Sequence, residues 1–276
     1  ENLGYLYGNF IRLNRMIITF RTDASLEIAT GHVMRCLTLA RALRAAGAEC
    51  RFVTRAHPGH MAQQIASEGF QVTLLPVPTG QTPKGPPQYA FWAGVDWMQD
   101  AVETRAALGE TEKWLIVDHY AFDERWQMVA RPRKTRLMVI DDLADRPHSC
   151  DLLLDQNLGH TSHDYDGLVP DRCQRLIGPH NSLLRPEFAE QRAKSMAGRQ
   201  GRGLRNLIIS MGGLDSMDVT STILVALCGA SLPLNMRICV IMGRRAPALE
   251  RVQAIARSMP WPTEVAVDVD DMAARM

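Results

Sequence analysis

Met16-Ile-Ile-Thr-Phe-Arg21-Thr-Asp23-Ala-Ser25-Leu-Glu-Ile-Ala29-Thr-Gly31-His32-Val-Met-Arg35-Cys-Leu-Thr-Leu-Ala40 reads as a buried strand, a polar turn and a helix that opens on Gly31-His32. This order places an imidazole at the start of a helix and at the carboxyl edge of a sheet. Open α/β sheets bind their ligands at that edge. Free backbone N–H groups at a helix start attract anions such as phosphate. The same positive end disfavours a second positive charge, which suits His32 to accept a proton. The stretch therefore predicts a base working beside a phosphorylated ligand.

Strand-like and helix-like segments alternate outward from this run, as expected of a parallel sheet covered by helices. Val33 to Ala46 predicts a helix with apolar residues at Val33, Leu37, Ala40 and Leu43, closed by Gly47. Strands are predicted at Cys50–Thr54, Gln71–Leu75, Trp114–Val117, Leu137–Ile140, Leu152–Leu154 and Arg175–Ile177. Helices are predicted at His57–Glu68 and Trp97–Leu108, with a Pro- and Gly-rich loop from Thr79 to Pro87. Asn206–Ser210 opens a second α/β unit: strand, glycine loop, helix Val219–Cys228, strand Arg237–Met242. The expected domains are 16–190 and 204–276, joined by a polar, basic, glycine-containing linker at 191–203. Residues 1–15 read as a leader outside the fold, with Met16 as a natural start.

The chain has 276 residues, 46% of them apolar, and a formal charge of +1, so its composition suits a folded protein of one large or two modest domains. This charge gives no reason to expect nucleic acid or an acidic membrane as a partner. No apolar run is long enough to span a bilayer, and the start is not a signal peptide. The six cysteines lack paired short spacing, and Cys36, Cys228 and Cys239 fall in apolar runs. Together these features predict reduced thiols and a cytoplasmic setting.

Several residues besides His32 carry candidate chemistry. Asp23 and Ser25 lie on the strand-to-helix turn, where they either hold His32 and contact a ligand or make local turn bonds. Arg35, one turn into the helix, either meets phosphate or is solvated. Asp118-His119-Tyr120 follows a buried strand, so it falls on the same edge; capping of the next helix is the alternative for Asp118 and His119. Gly212, Gly213 and Asp215 sit between strand and helix in the second unit, where paired glycines admit a diphosphate or form a tight turn. Asp141-Asp142 fits Mg²⁺ held with a diphosphate or an ordinary capped strand end. His148, Cys150, His160 and His163 lack zinc-ligand spacing, so no metal and no cofactor are expected. Arg185 reads as a substrate contact or a tie between domains. Tyr89 to Trp97 supplies either core or a wall for sugar stacking.

These motifs carry a resemblance. The opening run, Ile116-Val-Asp-His-Tyr120, Val139 to His148, Cys150 to Asn157, Leu183 to Phe188 and Ser210 to Asp215 resemble, in order and spacing, the UDP-2,4-diacetamido-2,4,6-trideoxy-β-L-altropyranose hydrolases of pseudaminic acid biosynthesis. That family pattern is Gly-x-Gly-His; Ala29 replaces its first glycine here. The resemblance implies a GT-B architecture of two Rossmann-like α/β domains facing a cleft. It also implies a chain that continues past Met276, so the second domain is expected to be incomplete. It implies a UDP-sugar substrate, His32 as the base that activates water at the anomeric carbon, inversion at that carbon, and Tyr120 in the active site. It implies no required metal, and so the capped strand end for Asp141-Asp142. Asp23, Ser25, Gly31, Arg35 and Arg185 become candidate substrate contacts. Gly212, Gly213 and Asp215 become candidate diphosphate contacts. A GT-B glycosyltransferase, a non-catalytic nucleotide-sugar binding module and a pyrophosphatase remain as alternatives.

Overall fold

Strand β1 (Ile17–Thr22) is buried from its second residue onward. A parallel strand covered on both faces is buried along its length, and here that includes Thr19, Arg21 and Thr22 as well as Ile18 and Phe20. The computed structural model describes residues 16–78, 83–201 and 203–276; the leader reading for 1–15 lies outside them. Seven strands, β1, β2 (Glu49–Arg55), β3 (Gln71–Leu75), β4 (Glu112–Asp118), β5 (Arg136–Ile140), β6 (Leu152–Asp155) and β7 (Gln174–Ile177), form one sheet in the order β3-β2-β1-β4-β5-β6-β7. Every neighbouring pair in it is parallel. The order reverses between β1 and β4, which is the switch point where such sheets open a crevice.

Helices α1 (Gly31–Ala45) and α2 (Ala62–Ser67) cover one face; α3 (Trp97–Ala107) and α4 (Glu124–Ala130) cover the other. Strand β4 serves both layers: Trp114 and Ile116 join Val33, Leu37 and Phe52, while Leu115 and Val117 join Phe122 and Trp126. Two-residue side-chain alternation along a strand produces this division.

The chain divides into two compact units at Leu183–Leu184. The second holds α5 (Pro186–Arg199), β8 (Asn206–Ser210), α6 (Val219–Leu227), β9 (Arg237–Met242), α7 (Leu249–Ser258), β10 (Thr263–Val267) and α8 (Met272–Arg275). Its strands run parallel in the order β10-β9-β8 around Ile209, Leu224, Ile238, Val240 and Trp261. Both units are therefore α/β.

The stretch read as a linker, 191–203, is helical as far as Arg199, and the division falls before it rather than within it. Pro186 at the helix start and Glu187 in the first turn favour α5. It buries no side chain, so it lacks the apolar stripe by which a helix is recognised. No helix among the described residues is long and apolar enough to cross a membrane.

Candidate active site at the carboxyl edge of the first sheet

The turn between β1 and α1 is held by Ser25. Its Oγ accepts from the N–H groups of Glu27 at 3.1 Å and Ile28 at 2.9 Å, and its carbonyl accepts from Ala29 N–H at 3.0 Å. Ala29 has φ 62°, in the left-handed region. Thr30 precedes the helix without a side-chain capping bond. Gly31 is exposed, and a Cβ placed on it would meet nothing within 4 Å. The start of α1 is thus open to a ligand.

His32, the next residue, is 7% exposed. Its Nδ1 lies 2.6 Å from Asp118 Oδ1 at the end of β4. A carboxylate only accepts, so the imidazole proton sits on Nδ1 and the Nε2 lone pair is left for chemistry. Arg35 grips the same carboxylate, with Nε 2.6 Å from Oδ2 and Nη2 2.6 Å from Oδ1. Its Nη1 reaches Asp142 Oδ2 at 2.9 Å. Burial opposes the charge on Asp118, but the His32 ring and the Arg35 guanidinium outweigh it and hold the carboxyl well below the usual range. Tyr120 donates its hydroxyl to Asp142 Oδ1 and stands edge-on to His32, ring centroids 4.7 Å apart. Burial and the Asp142 carboxylate both raise the phenol, so it stays protonated.

The structure therefore brings His32, Arg35 and Tyr120 together and adds Asp118 and Asp142. Asp118 holds His32; capping of the next helix falls to Asp123, which accepts from Arg125 N–H at 3.0 Å. Arg35 is neither a solvated residue nor a free phosphate ligand, because both ends of its guanidinium are occupied by carboxylates.

Asp23 has a different task from the one expected. It is fully buried, and its Oδ1 accepts from Arg21 Nη1 at 2.6 Å, Arg55 N–H at 2.7 Å and Thr54 Oγ1 at 3.1 Å. Its Oδ2 lies 3.3 Å from His119 Nε2 and 3.7 Å from His57 Nε2. A substrate contact needs an exposed atom, so the expectation for Asp23 is corrected. Arg21 and Arg55, both fully buried, share Asp100, which also accepts from Trp126 Nε1 at 2.9 Å. This charge network ties β1, β2, α3 and α4 together beneath the site. Ser25, likewise, is engaged in its turn.

In the second unit Gly212 has φ 82°, and a Cβ on Gly213 would meet nothing within 4 Å. Gly243 makes that loop possible. A Cβ there would come 2.4 Å from the Gly213 carbonyl oxygen, to which Gly243 N–H donates at 2.8 Å. Asp215 accepts from Val219 N–H at 3.0 Å and Thr220 N–H at 2.9 Å, so it caps α6 instead of presenting its carboxylate to a diphosphate. Arg185 precedes α5, pairs with Glu187 at 3.0 Å and lies over the Phe188 ring.

Asp141 is engaged by Arg146 at 2.8 Å and by Ala144 N–H at 3.0 Å. Among the described residues no group of three or more His, Cys, Asp or Glu side chains is placed to hold a metal ion. Sequence reasoning named Asp142 only as half of a carboxylate pair and Trp92 only within a stretch read as core or a sugar-stacking wall; it missed Gly243 and the service of Asp118 to His32, which join residues distant in sequence.

No family model matches the chain. Among curated proteins it is similar to the UDP-2,4-diacetamido-2,4,6-trideoxy-β-L-altropyranose hydrolase of Campylobacter jejuni, with 25% identity over 247 residues, covering 88% of this chain and 75% of that protein. Among solved structures, Acinetobacter baumannii MurG aligns with a TM-score of 0.49 at 14% identity, covering 95% of this chain and 68% of that one. A glycosyl transferase family 9 protein of Veillonella parvula aligns with a TM-score of 0.37 at 14% identity, covering 92% and 70% respectively.

Proposed function

We propose that this chain hydrolyses the anomeric C–O bond of a UDP-linked 2,4-diacetamido-2,4,6-trideoxy hexose, releasing UDP and the free sugar. The observation that carries the reading is the 2.6 Å bond from His32 Nδ1 to buried Asp118, which fixes Nε2 as the proton-accepting atom at the sheet edge. The similarity to a protein named as such a hydrolase supports the choice of substrate.

In this reading His32 Nε2 takes a proton from water as the water oxygen attacks the anomeric carbon. The bond to the diphosphate oxygen breaks, and the electron pair leaves with UDP. General-base help of this kind is worth about 10²–10⁴ in rate. Attack opposite the leaving group inverts the anomeric centre. Asp118 keeps the imidazole in the required tautomer and steadies the imidazolium that forms. Arg35 holds Asp118 and Asp142 in place, and Tyr120, its hydroxyl given to Asp142, lines the site with its ring beside His32. The uncapped start of α1 at Gly31 supplies N–H groups for negative charge.

The test is ¹H NMR of the chain incubated with UDP-2,4-diacetamido-2,4,6-trideoxy-β-L-altropyranose in water enriched in oxygen-18. Free reducing sugar carrying the heavy isotope is expected. Label in phosphate would mean a pyrophosphatase, and a stable glycoside formed on an added acceptor would mean a transferase. Binding without turnover would mean a binding module.

A further inference from the structure

His32 is flanked by aromatic carbon on the sides not taken by Asp118 and Arg35. Trp92 and Tyr120 both stand edge-on to its ring, at centroid distances of 5.8 and 4.7 Å. These two rings stack on each other at 5.3 Å with 20° between their planes. Tyr89 leans on both, 4.8 Å from Trp92 and 5.4 Å from Tyr120. All three rings are half-buried, in contrast to Phe122 and Trp126, which are fully buried in the layer below. Trp92 has firm support on its inner side, where it meets the buried His119 ring edge-on at 6.3 Å. His119 is in turn fixed, its Nδ1 accepting from Ala121 N–H at 3.1 Å.

A group of packed aromatic rings that keeps one side open beside a catalytic base is a surface for apolar matter. The Tyr120 hydroxyl is already engaged by Asp142, so its polar end is unavailable to a ligand as a donor. The carbon-bound hydrogens of a pyranose and the methyl groups on it gain by leaving water for such a surface, about fourfold in affinity per methyl. A hydroxyl pressed there loses its water without finding a partner.

We infer that Trp92, with Tyr89 and Tyr120, forms an apolar platform that selects a deoxygenated, N-acylated sugar over a more hydroxylated one, an inference that rests on the hydrolase reading above. Trp92 is the specificity-determining residue, because it touches His32, Tyr89 and Tyr120 at once.

The experiment compares kcat/KM for the UDP-linked diacetamido-trideoxy sugar and for UDP-N-acetylglucosamine, using the full chain and its Trp92→Ala and Trp92→Phe variants. Circular dichroism confirms that each is folded. The unaltered chain is expected to prefer the deoxygenated sugar by about 10- to 100-fold. Trp92→Ala is expected to remove most of that preference, and Trp92→Phe to keep most of it. Equal losses on both substrates would mean that Trp92 merely supports the His32 ring; the platform would be overturned and the hydrolase reading left intact. If the unaltered chain turns over neither substrate, the hydrolase reading fails. Dissociation constants for the same two ligands by calorimetry then decide the platform alone. Equal affinities, or a preference that survives Trp92→Ala, would overturn it.

Discussion

Arg35 lies three residues after His32 on the same helix and closes on the same carboxylate: His32 Nδ1 meets Asp118 Oδ1 at 2.6 Å, and Arg35 Nε meets Oδ2 at 2.6 Å. One carboxylate thus sets both the tautomer of His32 and the seat of a buried cation. Asp118→Asn keeps the shape and removes the charge. It is expected to lower kcat by about 10³–10⁴, measured as UDP release, with a folded circular dichroism spectrum. Activity within tenfold of the unaltered chain would rule out the proposed role of Asp118.

His32→Ala tests the base itself. Turnover is expected to fall by about 10²–10⁴, while the denaturation midpoint moves little. A near-unchanged rate would leave the proposed reaction without its base. Tyr120→Phe is a milder change, because Arg35 still holds Asp142. Loss of its hydrogen bond costs about 1 kcal/mol of stability, and kcat is expected to fall more than the affinity for substrate.

Ala29 sits at φ 62°, where a side chain is strained and glycine is not. Ala29→Gly is expected to stabilise the chain by roughly 1 kcal/mol despite the greater freedom it gives the unfolded state. Chemical denaturation reads this directly. A lower midpoint would mean that the turn's strain is offset elsewhere.

Asp100 is the shared partner of two fully buried arginines. Asp100→Ala leaves Arg21 and Arg55 short of a counter-charge and is expected to cost about 3–5 kcal/mol. Thermal unfolding followed by circular dichroism should show a large drop in midpoint. A small one would mean that Asp23 and Glu103 suffice to hold those charges.

Acid stability should follow the buried histidines. Burial holds His119 and His148 below the usual imidazole range, against the pull of Asp23 and Asp141 respectively. Below about pH 6.5 the unfolded chain therefore takes up protons that the folded chain refuses, and stability falls with pH. His160 runs the other way: its hydrogen bond to Asp155 raises it, so its contribution is full below the unfolded value and is lost as pH rises through the folded one. The depressed carboxyl of Asp118 stabilises fully above the ordinary carboxylate range and is lost only as pH falls through its much lower folded value. The urea midpoint should be lower at about pH 5.5 than at about pH 7, and His160→Asn should steepen the difference. A higher midpoint at the acid end in His160→Asn would contradict this account.

Much of the first sheet was legible because parallel strands buried on both faces write themselves as apolar runs, as Leu137 to Ile140 does. Helix α5 was not legible, since none of its side chains is buried. His32 could be singled out from its local setting after a strand and a glycine. Its partner could not, because Asp118 lies 86 residues away and reaches it only when β1 and β4 pair. Asp23 misled for the reverse reason: a carboxylate on a strand-to-helix turn looks available, and only the fold shows Arg21 and Arg55 enclosing it. Asp215 likewise turned out to accept from the first N–H groups of a helix, Val219 and Thr220, from three residues before its N-cap Asp218.

Strand β4 is packed on both sides, Leu115 and Val117 against one layer, Trp114 and Ile116 against the other, and it ends at Asp118. The carboxylate that orients His32 therefore records packing errors made on either side of the sheet. Enlarging Leu115 should push the strand in one direction, and trimming Ile116 should let it drift in the same direction. Second-site suppressors of a damaging change on one side are accordingly to be sought on the opposite side, among residues that touch neither substrate nor base.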